Sequence, residues 1–152
     1  MINSTHKKKN QQGITLLELM IVVTIVAIIS SFAYPSYMTY VVNTKRNAAT
    51  SALLRVADRQ QQFFMDNKTY AGDLTNLGFT TNPYVITDDG RATVAGDSDA
   101  VYSIALSNVA ATTYTITATP LHGQLARDKK CGSLTLNQTG QRAASTGSDG
   151  CW

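Results

Sequence analysis

From Ile14 to Tyr34 the chain is almost wholly apolar. The only ionisable side chain before the closing tyrosine is Glu18, and the remaining polar positions are small hydroxyls. As a helix, a run of this size is about 30 Å long, which matches the hydrocarbon core of a bilayer. Beyond Pro35 the pattern changes. Apolar side chains recur in steps of three and four at Val41, Val42, Ala48, Ala49, Ala52, Leu53, Val56, Ala57, Phe63 and Phe64. That spacing predicts an amphipathic helix continuing to Met65, with Lys45, Arg46, Arg55, Asp58 and Arg59 on its solvent face. Pro35 removes a backbone donor and clashes one turn back, so it is expected either to kink the helix or to melt it locally.

Thr69 to Ala100 reads as a loop segment. Gly72, Gly78, Pro83, Asp88-Asp89-Gly90 and Gly96-Asp97-Ser98-Asp99 supply turn formers densely enough to interrupt any long element. Strand-like alternation then begins. Val101 to Leu106 and Tyr114 to Thr119 are β-rich, with Asn108 to Thr113 as the hairpin loop between them and Pro120 closing the second strand. Gly132 to Asn137 is a third candidate, followed by a turn at Gln138-Thr139-Gly140. The predicted product is α+β: a small antiparallel sheet packed on the amphipathic half of one long helix.

Charge refines the first forty residues. The chain carries 13 Lys and Arg against 10 Asp and Glu, but Lys7, Lys8 and Lys9 all precede the apolar run. Without residues 1–13 the balance is ten against ten, so the basic excess belongs to a segment that reads as a processing leader. A lysine triplet ahead of an apolar span places the N-terminus in the cytoplasm and the rest of the chain across the membrane. The two cysteines, Cys131 and Cys151, bound a short terminal loop with no histidine beside them, which reads as a disulfide in an oxidising compartment. The alternative is two unrelated buried thiols. Such a disulfide agrees with the orientation set by the lysines.

An ordinary secretory signal peptide is the competing account of the N-terminal region. Ser31-Phe32-Ala33 offers a small-x-small cleavage site that would release a soluble domain beginning at Tyr34. Glu18 stands against it and against a plain membrane anchor, because a carboxylate inside an apolar span costs about 2.5–3.5 kcal/mol.

The octapeptide Gly13-Ile14-Thr15-Leu16-Leu17-Glu18-Leu19-Met20 resembles the processing site of type IV prepilins and type II secretion pseudopilins, and Ala33-Tyr34-Pro35-Ser36-Tyr37 continues the likeness. The resemblance implies that a prepilin peptidase cuts between Gly13 and Ile14 and methylates the new amine of Ile14. The family usually has phenylalanine there, so Ile14 is a departure. Glu18 matches the family's hallmark carboxylate, which is expected to pair with the amine of a second subunit and fix the axial step of the fibre. The implied division is a leader over 1–13, a transmembrane and assembly helix over 14–34, and a periplasmic, later extracellular, globular domain over 35–152. That domain includes the amphipathic helix half and the disulfide loop 131–151, which in pilins is an exposed region of subunit-specific contacts. The resemblance also implies helix melting near Pro35 in the fibre as the alternative to a simple kink.

The stretch from Tyr114 to Gly132 and the terminal Cys151-Trp152 are similar to minor pilins of the PilE kind. The expected function is therefore a structural, non-enzymatic subunit, a minor pilin that helps to initiate or assemble the fibre. A major pilin, a type II secretion pseudopilin, and a secreted or DNA-binding module are the alternatives. Implied partners are other pilin subunits, prepilin peptidase, the inner-membrane assembly platform and the membrane before assembly. Such fibres serve adhesion, twitching motility or DNA uptake.

No catalytic constellation, cofactor motif or metal-ligand spacing interrupts this reading. His6 and His122 are far apart, and Asp97 with Asp99 falls short of a calcium-ligand set. A basic cluster, Arg127, Lys129 and Lys130, is a candidate DNA contact, with Tyr102 or Tyr114 as a neighbour. Asp128 sits within it, and a solvated turn is the simpler account.

Overall fold

A computed structural model describes residues 13–147 and 150–152. The lysine triplet and His6 therefore lie outside the described residues. The described chain divides into two compact units that meet between Met38 and Thr39. Helix α1, Leu16–Asn67, supplies residues to both, and Pro35 lies inside it.

Helix α1 begins because Thr15 caps it. The Thr15 hydroxyl oxygen accepts the backbone N–H of Glu18 at 3.2 Å, satisfying one of the donors that a helix start leaves open. In the first unit, the polar side chains along the apolar run bond back to their own helix. Thr24 donates to the Met20 carbonyl at 2.8 Å and Ser31 to that of Ile28 at 2.7 Å. Hydroxyls satisfied in this way can sit among apolar surroundings. The helix stops where Lys68 adopts a left-handed backbone, φ 58°, with its N–H bonded to the Phe64 carbonyl.

The second unit is a helix-on-sheet layer. Its strands are β1 (Tyr84–Thr87), β2 (Ala92–Thr93), β3 (Ala100–Ser107), β4 (Thr115–Pro120), β5 (Leu134–Asn137) and β6 (Arg142–Ala144), and a short helix α2 (His122–Arg127) follows β4. All neighbours pair antiparallel in the order β2-β1-β3-β4-β5-β6. The register places Tyr84, Ile104, Ala118, Leu134 and Ala144 in one row across five strands. Leu106, Ile116 and Leu136 form a parallel row. These rows and Ala49, Ala52, Leu53 and Val56 of α1 form one buried core, in which Leu53, Ile104, Ile116 and Leu134 are fully buried.

Three expectations are corrected. The 69–100 segment is not a plain loop: it contains a 3-10 turn at Thr75–Leu77 and the β1–β2 hairpin, whose Tyr84, Val85 and Ile86 are buried. Strand β6 and helix α2 are further elements that the alternation did not suggest. Arg46 does not sit on the solvent face of α1 but is buried. The connection after α1 is held by side chains standing in for strand partners. Gln60, fully buried, gives its amide to the Ala71 carbonyl at 2.8 Å and accepts the Ala71 N–H at 2.9 Å. A buried backbone segment needs such partners.

Candidate functional site

Two regions carry the residues singled out in the sequence, one in each unit. In the first, Gly13 and Ile14 precede the helix and are exposed, and Glu18 lies exposed in its first turn. Every residue from Ile14 to Tyr34 is exposed, with Leu16 at 77% and Phe32 at 75%. The segment is long and apolar enough to cross a membrane. A helix that is apolar all round is stable only where lipid or other protein surrounds it.

The second region is built around a buried carboxylate. Asp128 follows α2 and is 1% exposed. Arg46 grips it with two donors, Nε to Oδ2 at 3.0 Å and Nη2 to Oδ1 at 2.6 Å. Tyr102 donates its hydroxyl to Oδ2 at 3.2 Å, and the Gln124 amide reaches Oδ2 at 3.2 Å and the Val42 carbonyl at 3.2 Å. Helix α1, strand β3 and helix α2 thus meet on one anion. The hydrogen bond to Asp128 raises the Arg46 guanidinium above its ordinary pKa against the opposing effect of burial. Burial pushes the Tyr102 phenol up to about 12. Removing one member of such a buried pair costs about 3–5 kcal/mol, because the other charge is left uncompensated.

This network places the predicted basic cluster. Arg127, Lys129 and Lys130 are exposed, whereas Asp128 between them is turned inward. The carboxylate that lies within the cluster in sequence is absent from its surface. Tyr102 and Tyr114 are buried and offer no face for stacking. Two covalent and polar ties fix the far end of the turn. Cys131 is disulfide-bonded to Cys151, and the Thr146 hydroxyl donates to the Lys130 carbonyl. Within the closed loop, the Ser145 hydroxyl oxygen accepts the Ser133 N–H at 3.1 Å and β6 pairs with β5. Asp97, weighed as a calcium ligand, instead accepts the Thr93 hydroxyl and the Asp99 N–H in a surface turn. Among the described residues no group of three metal-ligating side chains comes together.

A capped apolar helix with a carboxylate in its first turn, whose later half packs on an antiparallel sheet, is the architecture of a type IV pilin. The prokaryotic N-terminal methylation motif matches residues 8–34. The chain belongs to the family described as type IV minor pilin ComP, DNA uptake sequence receptor, which matches residues 35–135. Among curated relatives, the type IV major fimbrial protein FimA of Dichelobacter nodosus (strain VCS1703A) is 39% identical over 101 residues, 61% of this chain and 57% of that one. The type IV major pilin protein PilA of Myxococcus xanthus (strain DK1622) is 32% identical over 68 residues, 45% of this chain and 31% of that one. The match thus spans about a third to just over half of these relatives' own length. A solved type IV pilin from Shewanella oneidensis has a TM-score of 0.44 and 18% identity, over 70% of this chain and 92% of that chain.

Type IV pilins are structural proteins, and this chain carries both the N-terminal methylation motif and the minor-pilin domain of that family.

Proposed function

We propose that this chain is a minor subunit of a type IV pilus that takes part in starting or assembling the fibre. The leader 1–13 is cut from Ile14, whose amine is methylated. Residues 14–34 then hold the subunit as a single pass with its leader side cytoplasmic, until the assembly platform extracts it into the extracellular fibre. Residues 35–152, with the disulfide loop 131–151, form the outward-facing domain, and the backbone at Pro35 absorbs the change between membrane and fibre. The family's description as minor pilins supports the minor role. The name of major pilin carried by the curated relatives favours the bulk subunit as the second reading.

The observation that carries the assembly reading is the exposure of every apolar residue from Ile14 to Tyr34 around the single charge of Glu18. Burying each large apolar side chain among neighbouring helices contributes about 1.5–3 kcal/mol relative to water. An apolar surface of this kind gives no axial register by itself. A carboxylate does, since it is tolerated in an apolar core only where an amine meets it. The methylated amine of Ile14 on a neighbouring subunit is that partner. Co-expressing the parent with Glu18→Ala tests this: the variant is expected several-fold under-represented in fibres relative to the membrane pool. Equal incorporation would remove Glu18 from the mechanism.

A second activity on the same subunit is favoured by the inward turn of Asp128. From Ala100 to Gly147 Asp128 is the only acidic residue, against Arg127, Lys129, Lys130 and Arg142. With its carboxylate buried, Asp128 does not offset the exposed Arg127 and Lys129 beside it, and contact with a DNA phosphate backbone draws on such cations. The family's description as a DNA uptake sequence receptor gives that reading its partner. Its test is the loss of binding to a double-stranded oligonucleotide on combining Arg127→Gln, Lys129→Gln and Lys130→Gln.

A further inference from the structure

The turn that carries the basic cluster is anchored from beneath. Asp128 is its second residue, and its carboxylate makes four contacts in the protein interior, two of them to Arg46 at 2.6 and 3.0 Å. Its backbone is held as well: its N–H donates to the Gln124 carbonyl at 2.8 Å, and its carbonyl accepts the Gly132 N–H at 2.9 Å. The cations on either side point outward, and the Arg127 head group folds back along α2 to within 3.8 Å of where a β-carbon on Gly123 would lie.

Arg46 lies in another element, 82 positions earlier in the chain, and belongs to none of the exposed charges. Its side chain nonetheless holds the one carboxylate of the 127–130 turn in the interior. A carboxylate flanked by Arg127 and Lys129, if released to water, would neutralise one of them at short range. It would also leave the turn without its interior tie.

We propose that Arg46 is a positioning residue for phosphate-backbone binding: by holding Asp128 inside, it prevents that carboxylate from offsetting one cation of the 127–130 turn and keeps the turn in one conformation. The inference rests on the DNA reading given above. Arg46 touches no ligand. It acts through Asp128, and the guanidinium fork suits the task because it meets both carboxylate oxygens at once.

The test uses the full chain in detergent with a double-stranded DNA oligonucleotide, measuring affinity across a salt series below the thermal midpoint of every variant. Each phosphate contact contributes about 0.9 to the slope of log K against log salt. Arg46→Gln is expected to lower the slope by about one such contact, and so to weaken binding near 0.1 M salt by about fivefold to tenfold. The double variant Arg46→Gln with Asp128→Asn removes both charges together and is expected to restore the parent slope. A purely structural role would make slope indifferent and leave both variants differing only in melting temperature. Arg46→Lys keeps the charge but loses the fork; it is the milder variant should Arg46→Gln unfold, and it moves the slope the same way by less. A parent-like slope in the folded single variants overturns the positioning role, as does a double variant no better than the single. The combined change of Arg127, Lys129 and Lys130 to Gln separates the two levels. If that variant binds with the parent slope, the DNA reading itself is wrong.

Discussion

Reducing the Cys131–Cys151 bond is expected to destabilise the second unit by about 3 kcal/mol, the chain entropy restored to a loop of this length. The two half-cystines are separated by 20 positions, and the segment they close has little of its own to bury beyond Leu134 and Leu136. Its remaining ties are light. Among the described residues, strand β6 pairs only with β5, and the Trp152 indole N–H donates to the Ala143 carbonyl at 3.0 Å. The Arg142 guanidinium lies 5.3 Å from the Trp152 ring centre. At about 4 °C per kcal/mol for a unit of this size, the thermal midpoint should fall by about 10–15 °C. Trp152 is the only tryptophan in the chain, so its emission reports the loop directly while circular dichroism reports the whole. Calorimetry and both signals are to be followed with and without reductant, with Cys131→Ala/Cys151→Ala as the reductant-free control. The emission should shift to the red before the global transition. A midpoint lowered by less than about 4 °C, under 1 kcal/mol, would show that packing rather than the crosslink holds this segment.

Other outcomes follow from individual contacts. Leu53→Ala removes a fully buried side chain from the centre of the helix–sheet interface and should cost about 3–4 kcal/mol by chemical denaturation. Tyr102 has its phenol raised from 10 to about 12. Stability that is intact below about pH 10 is therefore lost as pH rises toward 12, where the unfolded tyrosine ionises first; the loss is about 2–3 kcal/mol. Tyr102→Phe should flatten that alkaline limb in denaturation midpoints, and an unchanged limb would assign it elsewhere. Gly132 sits at φ +61°, and a β-carbon there would clash with the Ser145 hydroxyl oxygen. Gly132→Ala should cost about 2 kcal/mol or more. Adding Ser145→Ala should recover part of it, and strictly additive losses would contradict the clash.

The long helix was legible because its apolar run and later stripe each follow a single period over many residues. Strands β3, β4 and β5 were legible for the same reason, with alternation in Ile104, Ile116, Ala118, Leu134 and Leu136. The β1–β2 hairpin was not, since Tyr84 to Thr87 is only four residues long and lies between Pro83 and Asp88-Asp89-Gly90, all turn formers. Helix α2 is six residues long with Gly123 inside it and no side-chain cap, so nothing local announces it. Arg46 shows the limit of reading by residue type. Positions 46, 49, 53, 56 and 60 are spaced by three and four, so Arg46 and Gln60 continue the buried stripe. Spacing pointed inward where charge pointed outward. The partner that made burial tolerable, Asp128, is 82 positions away and left no local trace. On the functional side, the processing motif could be read residue by residue, whereas the basic turn could not be judged without knowing which way Asp128 faced.

The central claim is that the chain is processed at Gly13 and built into a fibre through the helix that begins at Ile14. Mass spectrometry of sheared, washed fibres tests it most directly, by reading the N-terminal peptide and its copy ratio to other pilins. The account predicts a peptide beginning at N-methylated Ile14, present in fibres at low stoichiometry. A chain beginning at Tyr34 and absent from fibres would contradict it, and would make Ser31-Phe32-Ala33 the cleavage site of a released domain.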